Sequence, residues 1–244
     1  MKPVGPFCAP SFSPQRYWAH VPTQAVQEAL RGIFACWGLP GALRVDNGKP
    51  WGSVRDLPPV LALWLLGLGM QMLWNPPRQP QKNGVVERSQ GTSKRWAEPE
   101  QCDDPEQLQS QLDDSDRLQR EKYPYREGKS RLQVFPQLPH SGRTYRQRAE
   151  TQQWRLQPVL EHLAGYAVSR RVDSSGAISV YDRNLYVGVI HRGKLVQVMF
   201  DPHQHEWLIC NDRGEQLRSK AAPEIAAKPI CRLWSEPKPS NSSR

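Results

Sequence analysis

No apolar run in these 244 residues is long enough to span a bilayer. The most apolar stretch, Val60 to Trp74, is short and carries Gln71, so it reads as a segment buried in protein. The start, Met1-Lys2-Pro3-Val4-Gly5-Pro6, lacks the apolar core of a secretory signal. No CxxC pair occurs among Cys8, Cys36, Cys102, Cys210 and Cys231, which argues against a zinc knuckle or a dithiol redox motif. Their odd number and irregular spacing fit reduced thiols. These absences lead us to expect a soluble, cytoplasmic protein with no membrane anchor. Hydrophobic residues make up only 38% of the chain and 23 prolines interrupt it, which favours two modest domains with linkers over one large core. Carboxylates are scarce at the front, where Glu28 is the sole acid before Asp46.

What the chain has in excess is positive charge, a net +9. That balance speaks to solubility and association rather than fold, and its leading functional meaning is a polyanionic partner such as nucleic acid. A basic, merely solvated surface is the plain alternative.

Residues 1–15 have no periodicity. Arg16 to Val21 reads as a strand. Thr23 caps a helix to about Trp37, with Val26, Ala29, Leu30, Ile33, Phe34 and Trp37 on its apolar stripe. Gly38-Leu39-Pro40 stops it, and Leu43 to Val45 reads as a short buried strand leading into Asn47-Gly48. A second helix opens at Pro58-Pro59 and runs to about Leu68, and Met70 to Trp74 is a further strand. Asn83 is placed to cap a helix from Gly84 to about Trp96, on which Glu87, Gln90 and Lys94 share a face. Another helix starts at Asp104-Pro105 with Leu108, Leu112 and Leu118. The order strand, helix, strand suggests an α/β domain over 16–122.

Residues 123–160 are rich in Arg, Gln and Pro and read as a basic linker, with Arg143, Arg146, Arg148 and Arg155 either contacting phosphates or solvating a tether. Over 161–220, short β-rich runs separated by turn signals at Ser174-Ser175-Gly176, Asp182-Arg183-Asn184, Arg192-Gly193, Asp201-Pro202 and Asn211 to Gly214 argue a small antiparallel barrel. The tail, 221–244, reads as disordered.

Two acids stand out. Asp46 ends the short apolar strand, and Glu87 lies one turn into a helix, inside Pro80-Gln81-Lys82-Asn83-Gly84-Val85-Val86-Glu87-Arg88. Carboxylates held by rigid elements on either side of a Pro-rich loop suit a hard divalent ion. Each has an ordinary alternative: Asp-Asn-Gly is a turn signal, and an acid near a helix start is favoured by the dipole. The pair and its setting resemble the catalytic core of the retroviral-integrase and insertion-sequence transposase superfamily. Gly38-Leu39-Pro40 before the Asp strand and Arg16-Tyr17 before the first helix extend the likeness to roughly residues 15–145. The interval from Asp46 to Glu87 is a little longer than usual in that family, the excess falling around Trp51 to Pro59. The β-rich region is similar to the C-terminal domain that many such transposases append.

The resemblance implies an α/β RNase H-like core, here incomplete because the first strand is missing, followed by a small all-β barrel-like domain. It implies DNA cleavage and strand transfer by metal-dependent phosphoryl transfer, with Asp46 and Glu87 as catalytic, metal-binding residues and Mg²⁺ (or Mn²⁺) as cofactor. Lys82, Arg88, Gln90, Lys94, Arg143 and Arg146 are the expected DNA contacts. The family uses three carboxylates, and the first Asp has no counterpart before Asp46. The expectation is therefore a transposase-type protein inactive on its own, working at DNA in the prokaryotic cytosol or nucleoid as a homo-oligomer or paired with an intact transposase. The alternative is a non-catalytic DNA-binding or regulatory protein. His203 and His205 form an HxH best read as a surface turn. Trp154, Trp207 and Trp234 are either base-stacking or packing residues.

Overall fold

The computed structural model describes residues 22–48, 50–52, 56–76, 84–136 and 138–233, with the backbone alone at 84–87, 89 and 90. The strand expected at Arg16 to Val21, together with Lys82, Asn83 and Trp234, lies outside these residues. Among the described residues no helix is long and apolar enough to cross a membrane. The chain divides into two compact units, one from 1–46 with 73–148 and the other from 47–72 with 149–244. This partition runs through the stretch grouped above as 16–122.

The first unit begins with α1 (Thr23–Trp37), which buries Val26, Gln27, Leu30 and Phe34. Thr23 is its first helical residue rather than its cap; Pro22 precedes it in an extended conformation, as suits a residue with a fixed φ. Gly38 ends the helix at φ +76°, donating its N–H to Phe34 O. A Cβ there would lie 2.4 Å from Ser141 Oγ and 2.7 Å from Arg143 O, so geometry and space both demand glycine. Strand β1 (Ala42–Val45) follows and makes a two-stranded sheet with β2 (Gln71–Trp74).

Helix α3 (Gly84–Ala97) packs on α4 (Pro105–Glu121), with α2 (Val60–Gly67) reserved for the second unit. Asp104 caps α4 by accepting from Gln107 N at 2.7 Å. Of the leucines expected on α4, Leu108 and Leu112 are half-buried. Ser115, Asp116 and Gln119 are buried while Leu118 is exposed. A polar interface explains this: Gln119 Nε2 donates to Ser93 Oγ on α3 at 3.1 Å, and Arg120 lies over the Trp37 ring.

Part of the stretch read as linker is built. Strands β3 (Pro124–Arg126) and β4 (Lys129–Ser130) form a hairpin, and α5 (Arg131–Val134) opens with a full capping box between Ser130 and Gln133. Tyr145 is buried, edge-on to Phe34 at 5.8 Å. Local hydrogen bonds and ring contacts hold this segment where aliphatic residues are few.

In the second unit, α2 is apolar all round and is buried accordingly, Leu61 to Leu65 showing no exposure. It packs on α7 (Gln157–Ala164) and α8 (Ala227–Cys231), with α6 (Glu150–Gln153) against α8. Trp154 crosses Gly67 so closely that a Cβ would sit 1.9 Å from its Nε1. Strands β5 (Ala167–Arg171), β8 (Leu195–Asp201), β9 (Glu206–Cys210) and β10 (Gln216–Ala221) form an antiparallel sheet in the order β10-β9-β8-β5. On β8, Val196, Val198 and Phe200 face the core and Leu195 and Gln197 face outward, the alternation of a half-solvated sheet.

The hairpin β6 (Ala177–Val180) and β7 (Arg183–Tyr186) is a separate pair, so the hydrogen-bonded ladder is open, edged by β5 and β10. Its turn is Tyr181-Asp182, both at positive φ, one residue earlier than the sequence signal. Tyr181 is held in that strained conformation by its hydroxyl, which donates to Pro58 O at 2.7 Å, and by its ring against Trp207. Residues 222–233, read as part of a disordered tail, are packed: Ile225 and Ile230 have no exposure.

Candidate nucleic-acid interface

Asp46 directly follows β1 and is exposed. The strand end before it is fixed by Asn75 N, which donates to Val45 O at 2.9 Å. Beyond it, Trp51 N and Gly52 N both donate to Gly48 O, closing the turn that the Asn47-Gly48 pair signals. Glu87 lies in the first turn of α3 and Gln90 in the second. For these two residues the backbone sets the placement: one on a helix start, the other a turn further along the same helix.

The exposed side of α3 is basic. Arg88, Lys94 and Arg95 are exposed, Gly91 leaves open space, and Ser93 and Ala97 turn inward. Lys94 and Arg95 sit in the last turn, where cations complement the helix dipole. The helical period places Glu87, Gln90 and Lys94 along one face.

Arg143 is partly committed to structure. Its Nη1 donates to Pro40 O at 2.8 Å and its carbonyl accepts from Leu39 N, clamping the segment that leads from α1 to β1. Arg146 and Arg148 are exposed along an open cleft shared with Ala35, Tyr145 and Gln147. Two of the expected phosphate contacts therefore line one surface, while Arg143 has a bracing role that composition does not reveal.

Glu28, the sole acid ahead of Asp46, pairs with Arg31 on its own helix and receives Gln147 Nε2 at 3.5 Å. It does not stand in for a third metal ligand. Among the described residues no three His, Cys, Asp or Glu side chains converge as a metal cage. As donors, Asp46 and Glu87 suit a hard divalent ion, but two carboxylates are one fewer than the resemblance requires.

His203 and His205 lie in the turn between β8 and β9. His205 Nε2 donates to Ile225 O at 2.9 Å, and His203 N is received by Asp201. Trp154 and Trp207 are buried and so act in packing rather than stacking on bases. Trp207 Nε1 donates to Glu224, which also pairs with Arg183. This trio, with Trp207 and Glu224 buried and Arg183 partly exposed, was hidden in sequence because Glu224 falls in a polar, Pro-rich tail, although the Ile225 and Ile230 spacing was a readable apolar signal.

Compared with models of known protein families, the sequence matches none.

Proposed function

We propose that the chain is a DNA-recombination protein of the transposase and integrase type, derived from an RNase H-like core, and that by itself it binds DNA without cleaving it. The observation that carries this reading is the position of the two acids: Asp46 at the exit of β1 and Glu87 in the first turn of α3. The basic face of α3 beside Glu87, the arginines along 143–148 and the net charge of +9 support DNA as partner.

A bound Mg²⁺ or Mn²⁺ pair would activate the attacking hydroxyl or water and stabilise the leaving 3′-oxygen in an in-line displacement at phosphorus. Asp46 and Glu87 would hold it, and Lys94, Arg88, Gln90 and Arg146 would place the phosphate backbone. Asp46 and Glu87 are two carboxylates where the resemblance implies three, and the non-cleaving reading is a regulatory role, occupying DNA ends or pairing with a full transposase.

The test is a binding and nicking assay on a labelled duplex with the full chain and Mg²⁺ or Mn²⁺. The expected result is binding that weakens by orders of magnitude as salt rises from about 50 to about 200 mM, with no nicking. Absent or salt-insensitive binding overturns the nucleic-acid reading. Metal-dependent nicking that is lost in Asp46→Asn and in Glu87→Gln overturns the non-cleaving half and makes the chain an enzyme.

A further inference from the structure

The loop joining β7 to β8 ends in an apolar point. Ile190 is 80% exposed and Val189 52%, the former the most exposed large apolar side chain among the described residues. Single exposed aliphatic residues need no explanation, but this one is presented on a stiff support. The loop is tied to the turn before β6: Val187 N and Gly188 N both donate to Gly176 O, Gly193 N to Val172 O, and Val172 N to Lys194 O. Within the loop, His191 N donates to Gly188 O and Arg192 N to Val189 O, forming a 3₁₀ turn over Val189–His191. Gly176, at φ +82°, sits so close beneath it that a Cβ would lie 2.6 Å from Val189 N. The backbone thus spends hydrogen bonds and a glycine on holding two aliphatic side chains in water.

Cations surround the point. Arg171, Arg192 and Lys194 are exposed, and Arg171 is aimed across the loop by its Nη1, which donates to Gly193 O at 2.6 Å. Arg192 and Lys194 form no ion pair among the described residues. The one acid in the facing turn, Asp173, accepts from Ser175 N, Ser175 Oγ and Ala177 N, so its carboxylate is occupied within that turn. On the outer sheet face the partner of Arg171 is Leu195, itself exposed, and the face turns polar at the next outward pair, where Gln197 Nε2 donates to Ser169 Oγ.

We propose that this loop is a duplex-DNA contact in which Val189 and Ile190 wedge against or between base steps from the minor groove while Arg171, Arg192 and Lys194 hold the flanking phosphates. A small rigid aliphatic point ringed by cations matches that chemistry, in which unstacking is offset by the extra contacts a kinked duplex allows. A protein partner or lipid surface calls for a broader apolar face than Val189, Ile190 and the exposed Leu195, which are interspersed with Arg171, Arg192 and Lys194 and bordered by Gln197 and Ser169. The inference rests on the nucleic-acid reading above but not on Asp46 or Glu87.

The test uses the full chain, a fluorescein-labelled duplex for affinity and a duplex carrying 2-aminopurine for unstacking. Wild type should raise 2-aminopurine fluorescence on binding. The Val189→Ser, Ile190→Ser double variant should lose that rise and bind about tenfold more weakly with an unchanged salt slope. The Arg192→Gln, Lys194→Gln double variant should reduce the salt slope by about two. All four side chains are exposed, and an unchanged thermal transition checks that the fold is kept. If the aliphatic variant binds and unstacks DNA as wild type does, this inference fails and the DNA-binding reading stands. If wild type binds no DNA, both fail. Ile190-dependent binding to phosphatidylserine vesicles, or Ile190-dependent self-association, in place of DNA binding overturns the choice of partner.

Discussion

Glu224 is a buried acid whose carboxylate is engaged on both sides, by the indole N–H of Trp207 at 2.7 Å and by the Arg183 guanidinium. Arg183 is partly exposed and can be rehydrated, whereas the Trp207 ring cannot. Glu224→Ala should therefore destabilise the second unit by about 1–3 kcal/mol, chiefly through the unpaired indole N–H, measured by urea unfolding. His162 supplies a pH effect. Burial holds its pKa below the ordinary histidine value, and its Nε2 shares a hydrogen bond with Tyr166 Oη at 3.2 Å. A depressed histidine pKa means that the unfolded chain binds the proton more readily. Stability is then full above the unfolded value of about 6.5 and is lost as pH falls through it toward the folded value. Denaturation midpoints at successive pH values from neutral to mildly acidic should fall, and His162→Gln should flatten that decline. Asp173, whose carboxyl is held low chiefly by the Ala177 N–H, acts only in a more acidic window, so the two effects separate. Neither Glu224 nor His162 was visible as a stability element in sequence, because their partners are brought in by folding.

Helix α2 shows what periodicity can and cannot reveal. A short run apolar on every side, opened by two prolines, announces a buried helix, and Val60–Gly67 is one. Periodicity does not say what buries it, and the answer is α7 and α8, far along the chain. Trp154 over Gly67 makes the contact specific. Gly67→Ala would raise helix propensity but drive a methyl into the Trp154 indole, at 1.9 Å without relaxation. The expected net effect is a loss of about 1–3 kcal/mol, read as a lowered unfolding midpoint. Helix α4 shows the converse. Its leucines were legible and Leu108 and Leu112 are half-buried, yet its buried positions are polar, with Gln119 on Ser93 and Arg120 over Trp37, a pairing no local pattern encodes.

Across the whole molecule, compact units and contiguous segments do not coincide, since residues 47–72 belong with 149–233. Besides α2 they supply Pro58 O to Tyr181, Asp56 to Arg170 and Gly67 O to Arg155 N. A fragment starting at residue 149 would lose Leu61, Leu63, Trp64 and Leu65 from its core, each worth roughly 1.5–3 kcal/mol when buried, a sum comparable with the whole stability of a domain. It should show no cooperative transition by circular dichroism, and a peptide covering 56–72 added in trans should restore one. The short elements were legible from neighbouring residues, because helix and strand periods, prolines and glycines act locally: α1, β1, α2, the strands β5, β6, β8 and β9, and the placement of Asp46 and Glu87 on a strand exit and a helix start. Folding sets which faces are buried, where Tyr181 turns the chain, that residues 222–233 pack, and that Ile190 is held out into water. Each of those depends on burial and hydrogen bonding between residues remote in sequence, a balance that no window of neighbouring residues contains.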